Sequence, residues 1–375
     1  MSDPATRTIA FYLPQYHPVP ENDEWWGPGF TEWTNTARAR RLFPGHVQPH
    51  LPADLGFYDL RLPETREAQA RLARTYGVTA FAYWHYWFGR GRRMLERPFQ
   101  EVLASGAPDL PFCLAWANQT WSGVWHGAGD RVLVEQTYPG PEDDAAHFAA
   151  ILPAFRDERY LRVEDRPVFY VHRPVALPGT TGEWVDRWQD MARAAGLPGL
   201  YLVAEVLDWF DWGPLYTDVE AAGFDAGVYM RLPMRFTRRE FWQRRVQRHL
   251  TALPEIYPAT TRYLDRDLPA GHQPCVYPNW DNTPRSGRRG VVLTGTGPEL
   301  FRQHVQQAAR ALRDRPAAER LLWVKSWNEW AEGNYLEPDL EHGHGWLRAL
   351  RDGLADAAAP TVVPEPVRSD RRVPS

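Results

Sequence analysis

The chain has 375 residues, of which 43% are hydrophobic and 24% charged, and 43 basic side chains against 47 acidic ones give a net charge of −4. These proportions are ordinary for a folded globular protein and exclude wholesale disorder. A mildly acidic chain has no long-range attraction for nucleic acid or for an anionic membrane surface. We therefore expect neither as a partner. No stretch approaches the roughly 18 to 20 uncharged apolar residues of a membrane-spanning helix.

The N-terminus and the cysteines bear on compartment and cofactors. Residues 1–7 are polar and contain no charged segment followed by an apolar run, so we expect no secretory signal and a cytoplasmic location. Cys113 and Cys275 each lie within an apolar run and are expected to be buried free thiols. Because no cysteine or histidine has metal-site spacing, we expect no metal and no other cofactor.

Short apolar runs alternate with amphipathic segments along the whole chain. The predicted strands lie at 8–14, 78–88, 111–119, 166–173, 200–206, 223–230, 275–282 and 321–330. Their nearly continuous apolar character is typical of parallel strands that are covered on both faces. The predicted helices lie at 62–76, 94–104, 142–155, 183–195, 299–313 and 345–354. This alternation predicts an α/β protein, a (β/α)₈ TIM barrel.

The length predicts additions to the barrel. A plain barrel of this type needs about 250 residues, and the longest stretches between predicted elements are 19–60, 121–141 and 231–273. We expect these stretches to form long loop insertions at the C-terminal face of one catalytic domain spanning 1–358. The proline- and arginine-containing segment 359–375 is expected to be a flexible tail.

Aromatic residues are abundant, with 18 Trp, 16 Tyr and 16 Phe. Tryptophan favours positions with one apolar face and one wet edge, as a stacking surface for a sugar ring requires. In this type of barrel the active site lies at the C-terminal ends of the strands. The candidate substrate-binding residues at those ends and in the loops are Tyr16, His17, Trp26, Trp33, His50, Trp84, His85, Trp116, Asn118, Trp121, Glu205, Tyr229, Trp280 and Asn328. Their clustering favours a carbohydrate cleft, although some are expected to be structural and an interior role for His85 stays equally open.

Two carboxylates lie three residues apart at the end of the eighth predicted strand, where 327–333 reads WNEWAEG. Glycoside cleavage generally uses one carboxylic acid and one carboxylate. Glu329 and Glu332 reach one cleft only if the chain leaves the strand near Glu329, since strand positions three apart face opposite ways. Gly333 permits such a turn. We predict this pair to be catalytic, with a raised pKa for Glu332; solvated rim acids, or a pairing of Glu329 with Glu205, are the alternatives.

Lys325 is the only lysine of the chain. It shares strand parity with Glu329 and is therefore predicted to point into the barrel. A desolvated lysine can form a Schiff base, but the chain lacks an accompanying phosphate-binding glycine loop. We therefore favour an ion pair with an interior acid.

Several long motifs resemble the WbsX-type, glycoside hydrolase family 99-like proteins. They are 11–18 (FYLPQYHP), 22–27 (NDEWWG), 29–35 (GFTEWTN), 48–56 (QPHLPADLG), 83–88 (YWHYWF), 327–332 (WNEWAE) and 335–338 (YLEP). The resemblance spans residues 8 to 350. Such proteins are often described as glycosyltransferases of surface-polysaccharide clusters, and their barrel is similar to that of family 99 endo-α-mannosidases and mannanases.

The resemblance implies roles for the acid pair. Glu329 would deprotonate the 2-hydroxyl of the substrate and give a 1,2-anhydro sugar, and Glu332 would act first as the acid and then as the base for water. One motif departs from the expected pattern, because 116–121 reads WANQTW rather than WANENW with following arginines. This departure leaves the identity of the sugar open.

We therefore expect a retaining glycoside hydrolase acting on an α-linked glycan, with a mannose-like sugar as one candidate. A glycosyltransferase of surface-polysaccharide biosynthesis is the first alternative, although the basic turn 286–290 matches no phosphate-binding pattern. A non-catalytic glycan-binding protein is the second alternative. The expected partner is an oligo- or polysaccharide, and the linkage, the endo or exo action and the oligomeric state stay open.

Overall fold

The computed structural model describes residues 6–123, 131–206, 219–229, 253–256 and 271–359. Its central sheet consists of β1 (Arg7–Tyr12), β2 (Ala80–Trp87), β3 (Phe112–Trp116), β4 (Arg166–Val171), β5 (Tyr201–Val206), β6 (Ala226–Tyr229), β7 (His272–Val276) and β8 (Leu321–Val324). Every strand runs parallel to its neighbours, and β8 pairs with β1 to close the sheet, with Arg7 opposite Leu321. The predicted (β/α)₈ TIM barrel is confirmed.

Helices connect these strands. They are α1 (Pro20–Trp26), α2 (Glu32–Arg38), α3 (Pro63–Thr75), α4 (Arg97–Ser105), α5 (Pro141–Phe155), α6 (Thr181–Ala194), α7 (Thr283–Ser286), α8 (Pro298–Ala311) and α9 (Gly345–Ala358). Several begin with proline in the first turn, where the missing N–H leaves no hydrogen bond unmade. Helices α3 to α6, α8 and α9 correspond to the six predicted ones.

A cluster of stacked aromatic side chains fills part of the barrel interior. The ring of Phe11 stacks on Trp84 at 4.9 Å and on Trp323 at 5.4 Å, and Tyr170 contacts it edge-on at 5.0 Å. These side chains come from β1, β2, β8 and β4, and they are buried. They form a floor beneath the C-terminal ends of the strands. This floor is held firmly, because contacts between aromatic rings contribute stability beyond that of the apolar area that the rings bury.

A second aromatic cluster lies between the barrel and its outer helices. Trp116 of β3 stacks on Trp184 at 6.0 Å, and Trp188 stacks on Phe169 at 5.1 Å. Both indoles at 184 and 188 belong to α6, and all four side chains are buried. Part of the high tryptophan content therefore fills the layer between helices and sheet.

The insertions are described in part. The first, 19–60, contains α1 and α2, and in the second Trp121–Ser122 pairs with Val132–Val134. Most of 231–273, and the tail after residue 359, lie outside the described residues. Cys113 and Cys275 are buried free thiols, as predicted. Among the helices of the described ranges, none is long and apolar enough to cross a membrane.

Candidate active site

The chain leaves the barrel after β8 through a tight local fold that brings two acids together. Asn328–Glu329 forms a short antiparallel ladder with Asn334–Tyr335, and the 3-10 turn Trp330–Glu332 joins the two strands. Gly333 has φ +68°, and a Cβ there would lie 2.6 Å from the backbone nitrogen of Asp281. Only glycine fits this position. The turn predicted at Gly333 is present, and the carboxyl groups of Glu329 and Glu332 hydrogen-bond to each other.

Buried polar side chains fix the position of this segment. Asn328 Oδ1 accepts from the backbone N–H of Leu13 at 2.7 Å, and its Nδ2 donates to the Leu13 carbonyl at 3.1 Å and to Tyr58 at 3.3 Å. The backbone N–H of Glu329 donates to Ser326 Oγ at 2.9 Å. These bonds tie the acid segment to the loop after β1, so that the acids lie at the barrel's C-terminal face.

Glu329 is buried against a tryptophan and a lysine. Its Oε1 accepts from the indole N–H of Trp84 at 2.7 Å and from Lys325 Nζ at 3.3 Å. Burial raises the pKa of Glu329 to about 7, which the Lys325 charge opposes and the neighbouring Glu332 reinforces. Lys325 is thus paired with an interior acid, the arrangement that the sequence favoured.

Glu332 has the opposite environment. Arg285 of α7 donates to its Oε1, and the same guanidinium donates to Glu32 at 2.7 Å. Burial alone would raise the pKa of Glu332, but the charges of Arg285 and Lys325, with hydrogen bonds from Glu329 and Asn334, lower it to about 2. The predicted rise in this pKa is therefore wrong.

The reason for the error is the cation that contacts the carboxyl group, because burial by itself would have raised the pKa. Trp330 turns away from Glu332, because its N–H donates to Glu337 at 2.7 Å and its ring stacks on Tyr335 at 3.8 Å. Arg285, which comes from a distant part of the chain, contacts Glu332 instead. As a pair, the two acids carry one proton and one negative charge between about pH 2 and about pH 7.

Glu205 forms a separate carboxylate site at the end of β5. Its Oε2 accepts from the hydroxyl of Tyr170 at 2.6 Å and bonds to His172 Nδ1. Burial would raise the pKa of Glu205, but the charge and hydrogen bond of His172 lower it below its ordinary value. Its hydrogen bonds thus go to β4 and the following residue, and the charge of Lys325 interacts with both Glu205 and Glu329.

Three buried oxygens near the acids accept no hydrogen bond within the described part of the chain. They are Glu32 Oε2, Glu205 Oε1 and Asn334 Oδ1. A buried acceptor without a donor costs free energy of about 1 to 3 kcal/mol, so this face is complementary to a ligand rich in O–H groups. In the described ranges, no group of three or more His, Cys, Asp or Glu side chains is arranged to hold a metal ion.

Several predicted site residues lie at this cluster. Trp84 and Asn328 contact it directly, as described above. The Tyr16 hydroxyl donates to the Asn328 carbonyl and accepts from Trp330 N–H at 3.3 Å, and the Trp33 ring lies 5.5 Å from that of Trp330. Trp280 is buried next to Asp281, whose N–H donates to the Glu332 carbonyl at 2.7 Å. Tyr16 and Trp33 thus pack beneath the acid segment.

Other predicted residues point elsewhere. His85 faces outward from β2, and its Nε2 lies 2.8 Å from that of His147 on α5, where burial lowers the pKa of His85 to about 3. This is the interior role that the sequence left open. Trp116 lies in the helix–sheet aromatic cluster, and Asn118 donates to the Arg173 carbonyl at 2.8 Å. The structure does not bring these side chains to the acids.

The remaining predicted residues lie on the surrounding loops. His17 bonds to the Pro14 carbonyl at 3.1 Å, and His50 lies 3.8 Å from Glu341. The other ring contacts are Trp26 with Phe30 at 5.9 Å, Trp121 with Trp25 at 6.3 Å, and Tyr229 with His272 at 6.4 Å. Trp25, Trp26 and Trp121 are half-buried. No contact described for these residues reaches Glu329 or Glu332.

Sequence reasoning missed Glu32, Arg285 and Glu337 as parts of the site. Glu32 lies within the 29–35 motif, which carried the resemblance without a role for that carboxylate. Arg285 precedes the basic turn that was compared only with phosphate-binding patterns. Glu337 is fully buried and accepts from Tyr58, Gln69 and Trp330, and burial raises its pKa to about 7.

Comparison with known proteins places these observations in a family. A family model described as glycosyltransferase WbsX matches residues 8–350. Two curated relatives from strains of Xanthomonas campestris pv. campestris, each named uncharacterized protein WxcX, are 40% identical over 365 and 361 residues. These alignments cover 94% of this chain and 50% of each relative. The chain therefore spans about half the length of these relatives.

Solved structures share the architecture. A glycoside hydrolase-like protein superposes with a TM-score of 0.59 at 14% identity, covering 94% of this chain and 95% of its own. The GH99 endo-α-mannosidase of Bacteroides thetaiotaomicron, in complex with bis-tris propane, has a TM-score of 0.56 at 13% identity and coverages of 95% and 97%. At these identities the likeness concerns the fold. The resemblance to WbsX-type, family 99-like proteins is confirmed.

Proposed function

We propose that this chain, which belongs to the WbsX glycosyltransferase family, is a retaining glycoside hydrolase that acts on an α-linked glycan. The observation that carries the proposal is the pair of Glu329, which is buried, and Glu332, whose side chain is 13% exposed; their carboxyl groups hydrogen-bond to each other at the C-terminal face of the barrel. One shared proton and one shared charge are what acid–base cleavage of a glycosidic bond requires. A mannose-like sugar is the candidate for the unit whose glycosidic bond is cleaved.

The chemistry divides into two steps. First, Glu329 takes the proton of the 2-hydroxyl, whose oxygen attacks C1 while Glu332 protonates the departing glycosidic oxygen. The product of this step is a 1,2-anhydro sugar. Water then attacks C1 and gives its proton to Glu332. The bond between C1 and the bridging oxygen breaks, and this oxygen, which stays on C2, regains its proton from Glu329. Two inversions at C1 yield retention of configuration.

The resting pair must transfer its proton for these roles. In the ligand-free arrangement the proton lies on Glu329, because Arg285 holds Glu332 as the anion. The hydrogen bond between the two carboxyls is the path by which the proton moves to Glu332 when a 2-hydroxyl enters beside Glu329. The proposal therefore includes a shift of one proton on binding of substrate.

The unsatisfied acceptors support a polyhydroxyl ligand. Oxygens of Glu32, Glu205 and Asn334 are buried without a donor in the described ranges, and hydroxyl groups of a sugar are donors of the right kind. The half-buried indoles of Trp25, Trp26 and Trp121 on the surrounding loops are flat apolar surfaces of the kind that pack against a pyranose ring. Together these features favour a glycan over an anionic or apolar ligand.

A glycosyltransferase is the second candidate, and the description of the family model favours it. The same acid pair would then transfer a sugar from a donor to a glycan hydroxyl rather than to water. A nucleotide-sugar donor needs a site for its diphosphate, typically a helix N-terminus with a glycine-rich turn.

Purified protein is to be incubated with a panel of aryl α-glycosides and unactivated α-linked oligosaccharides, and separately with sugar nucleotides. Hydrolysis with retention of configuration is expected. The variant Glu332→Gln should lose activity on unactivated glycans and keep more of it on aryl glycosides, whose leaving group needs little protonation. The matched control Glu67→Gln changes an exposed acid on α3 and should be without effect.

The outcomes separate the three functions. Transfer from a sugar nucleotide without hydrolysis of the glycosides would indicate a glycosyltransferase and refute the hydrolase proposal. Binding of a glycan without turnover would indicate a glycan-binding protein. Hydrolysis of a substrate that lacks the 2-hydroxyl would exclude the anhydro-sugar route. An unchanged rate for Glu332→Gln on an unactivated glycan would exclude that residue as the acid.

A further inference from the structure

Lys325 is the single lysine among 43 basic residues, so the other 42 are arginines. It follows β8, where its backbone N–H donates to the Val276 carbonyl at 2.9 Å, and its side chain is only 11% exposed. An ammonium is a compact cation, whereas a guanidinium is a planar fork of five donors. A lone ammonium in an arginine-rich chain, buried in the candidate site, suggests that this position requires the compact shape.

The ammonium and one indole hold the same oxygen of Glu329. Lys325 Nζ lies 3.3 Å from Oε1, and the Trp84 N–H donates to that atom at 2.7 Å. The ammonium also lies 5.0 Å from the centre of the Trp84 ring and 5.8 Å from that of Phe11. Two side chains, Lys325 and Trp84, thus hold the carboxyl group, and the rings of Trp84 and Phe11 make cation–π contacts with the ammonium.

Three carboxylates surround this cation. Glu329 and Glu332 lie on the segment that follows Lys325, and Glu205 approaches from β5. The latter two have close partners of their own, Arg285 for Glu332 and His172 for Glu205. Lys325 is therefore the cation assigned to Glu329, and the buried thiol of Cys275 on β7 is a further titratable group that interacts with it.

We propose that Lys325 is a positioning residue that, together with Trp84, holds Oε1 of Glu329 and so selects Oε2 as the oxygen that exchanges a proton with the sugar hydroxyl. The inference rests on the proposed function and adds to it a separate role for each oxygen of the Glu329 carboxyl group: Oε1 is held in place, and Oε2 exchanges the proton. An arginine at this position would carry the charge but would extend its donors past Oε1 and displace the Trp84 contact.

The first test does not depend on turnover. Incorporation of ¹⁵N,¹³C-lysine labels one side chain, and its Nζ and Cε signals are followed by NMR as the pH is raised. We expect Cε resonances shifted upfield by the Trp84 ring, and a lower ammonium pKa in Glu329→Gln, since the negative charge that stabilises the ammonium has been removed. Unshifted resonances with the same pKa in both proteins would overturn the inference.

The second test uses the proposed activity. Lys325→Met should lower kcat by about tenfold or more with little change in KM, and the basic limb of the pH profile should move up by about one unit, since a tenfold change in proton affinity is one unit. Lys325→Arg keeps the positive charge, so the basic limb of its pH profile should lie at the parental pH, while its kcat should be lower than that of the parent. Arg193→Met, at an exposed ion pair on α6, is the control.

The two failures are distinguishable. Absence of turnover by the unchanged protein refutes the proposed function, and the NMR titration still decides the position of the ammonium. Turnover by Lys325→Met with the parental kcat and pH limb refutes the positioning role. If Lys325→Met does not fold, as judged by circular dichroism, Lys325→Arg decides: a parental kcat in that variant refutes the need for a compact ammonium.

Discussion

Replacing Arg285 by methionine tests the charge arrangement at the site. The guanidinium contacts Glu32, whose side chain is fully buried, and Glu332, and its own side chain is 13% exposed. The substitution leaves two buried carboxylates without their common cation. Breaking a buried ion pair in this way costs about 3 to 5 kcal/mol of stability.

The loss is measurable as a thermal shift. Unfolding entropy of about 2.1 cal/mol/K per residue gives roughly 0.8 kcal/mol per degree for a chain of this length, so Arg285→Met should lower the unfolding midpoint by about 4 to 6 °C at pH 7.5. The assay is scanning fluorimetry or calorimetry. Arg193→Met, whose partner Asp190 is also exposed, should leave the midpoint unchanged.

The sign of the pH dependence follows from the pKa shifts. The folded pKa of Glu332 lies below its ordinary value, so Glu332 contributes stability that is complete above pH 4.5 and disappears as the pH falls towards about 2. Without Arg285, both Glu332 and Glu32 take up protons at higher pH, because the positive charge that opposes the effect of burial on both pKa values has been removed. The deficit of the variant should therefore be smaller at pH 5.0 than at pH 7.5.

Two outcomes would refute this reasoning. A variant as stable as the parent at pH 7.5 would mean that the guanidinium does not bridge the two acids. A deficit that stays the same at both pH values would mean that the stranded charges are not its cause. A partial recovery on adding Glu32→Gln, which removes one of those charges, is the corresponding positive control.

Three further predictions follow from the same contacts. On an unactivated α-linked oligosaccharide, whose leaving group must be protonated, kcat/KM should fall above about pH 7 as the pair loses the proton held by Glu329, and a flat profile to pH 9 would contradict this. Trp84→Phe removes the N–H donor to Glu329 and should lower kcat by about tenfold or more, because such charge-assisted bonds contribute about 1.5 to 3 kcal/mol. A parental kcat would show that this bond is absent during turnover. Cys113 and Cys275 should not react with a thiol reagent until the protein is unfolded, because burial raises the pKa of both thiols; titration before and after denaturation measures it.

Local sequence patterns were sufficient for the architecture. Eight apolar runs with intervening amphipathic segments are a short-range property of the chain, and each run overlaps one observed strand, although the seventh strand begins at His272, three residues before the predicted run. The turn that follows Glu329 was also predictable, because Gly333 is the residue type that a positive φ favours. The orientation of His85 was also predictable from strand parity. Since Trp84 points into the barrel, the adjacent His85 points outward to α5.

The charges of the candidate acids were determined by the tertiary structure. Arg285 is separated from Glu332 by 47 residues and from Glu32 by 253. Only the closed barrel brings the guanidinium on α7 to the carboxyl groups of both acids. A pKa depends on the atoms within a few ångströms of the carboxyl group, whichever part of the chain supplies them. The sequence by itself thus determined the barrel, the acid segment and its turn, whereas the proton's place within the pair was decided by long-range packing.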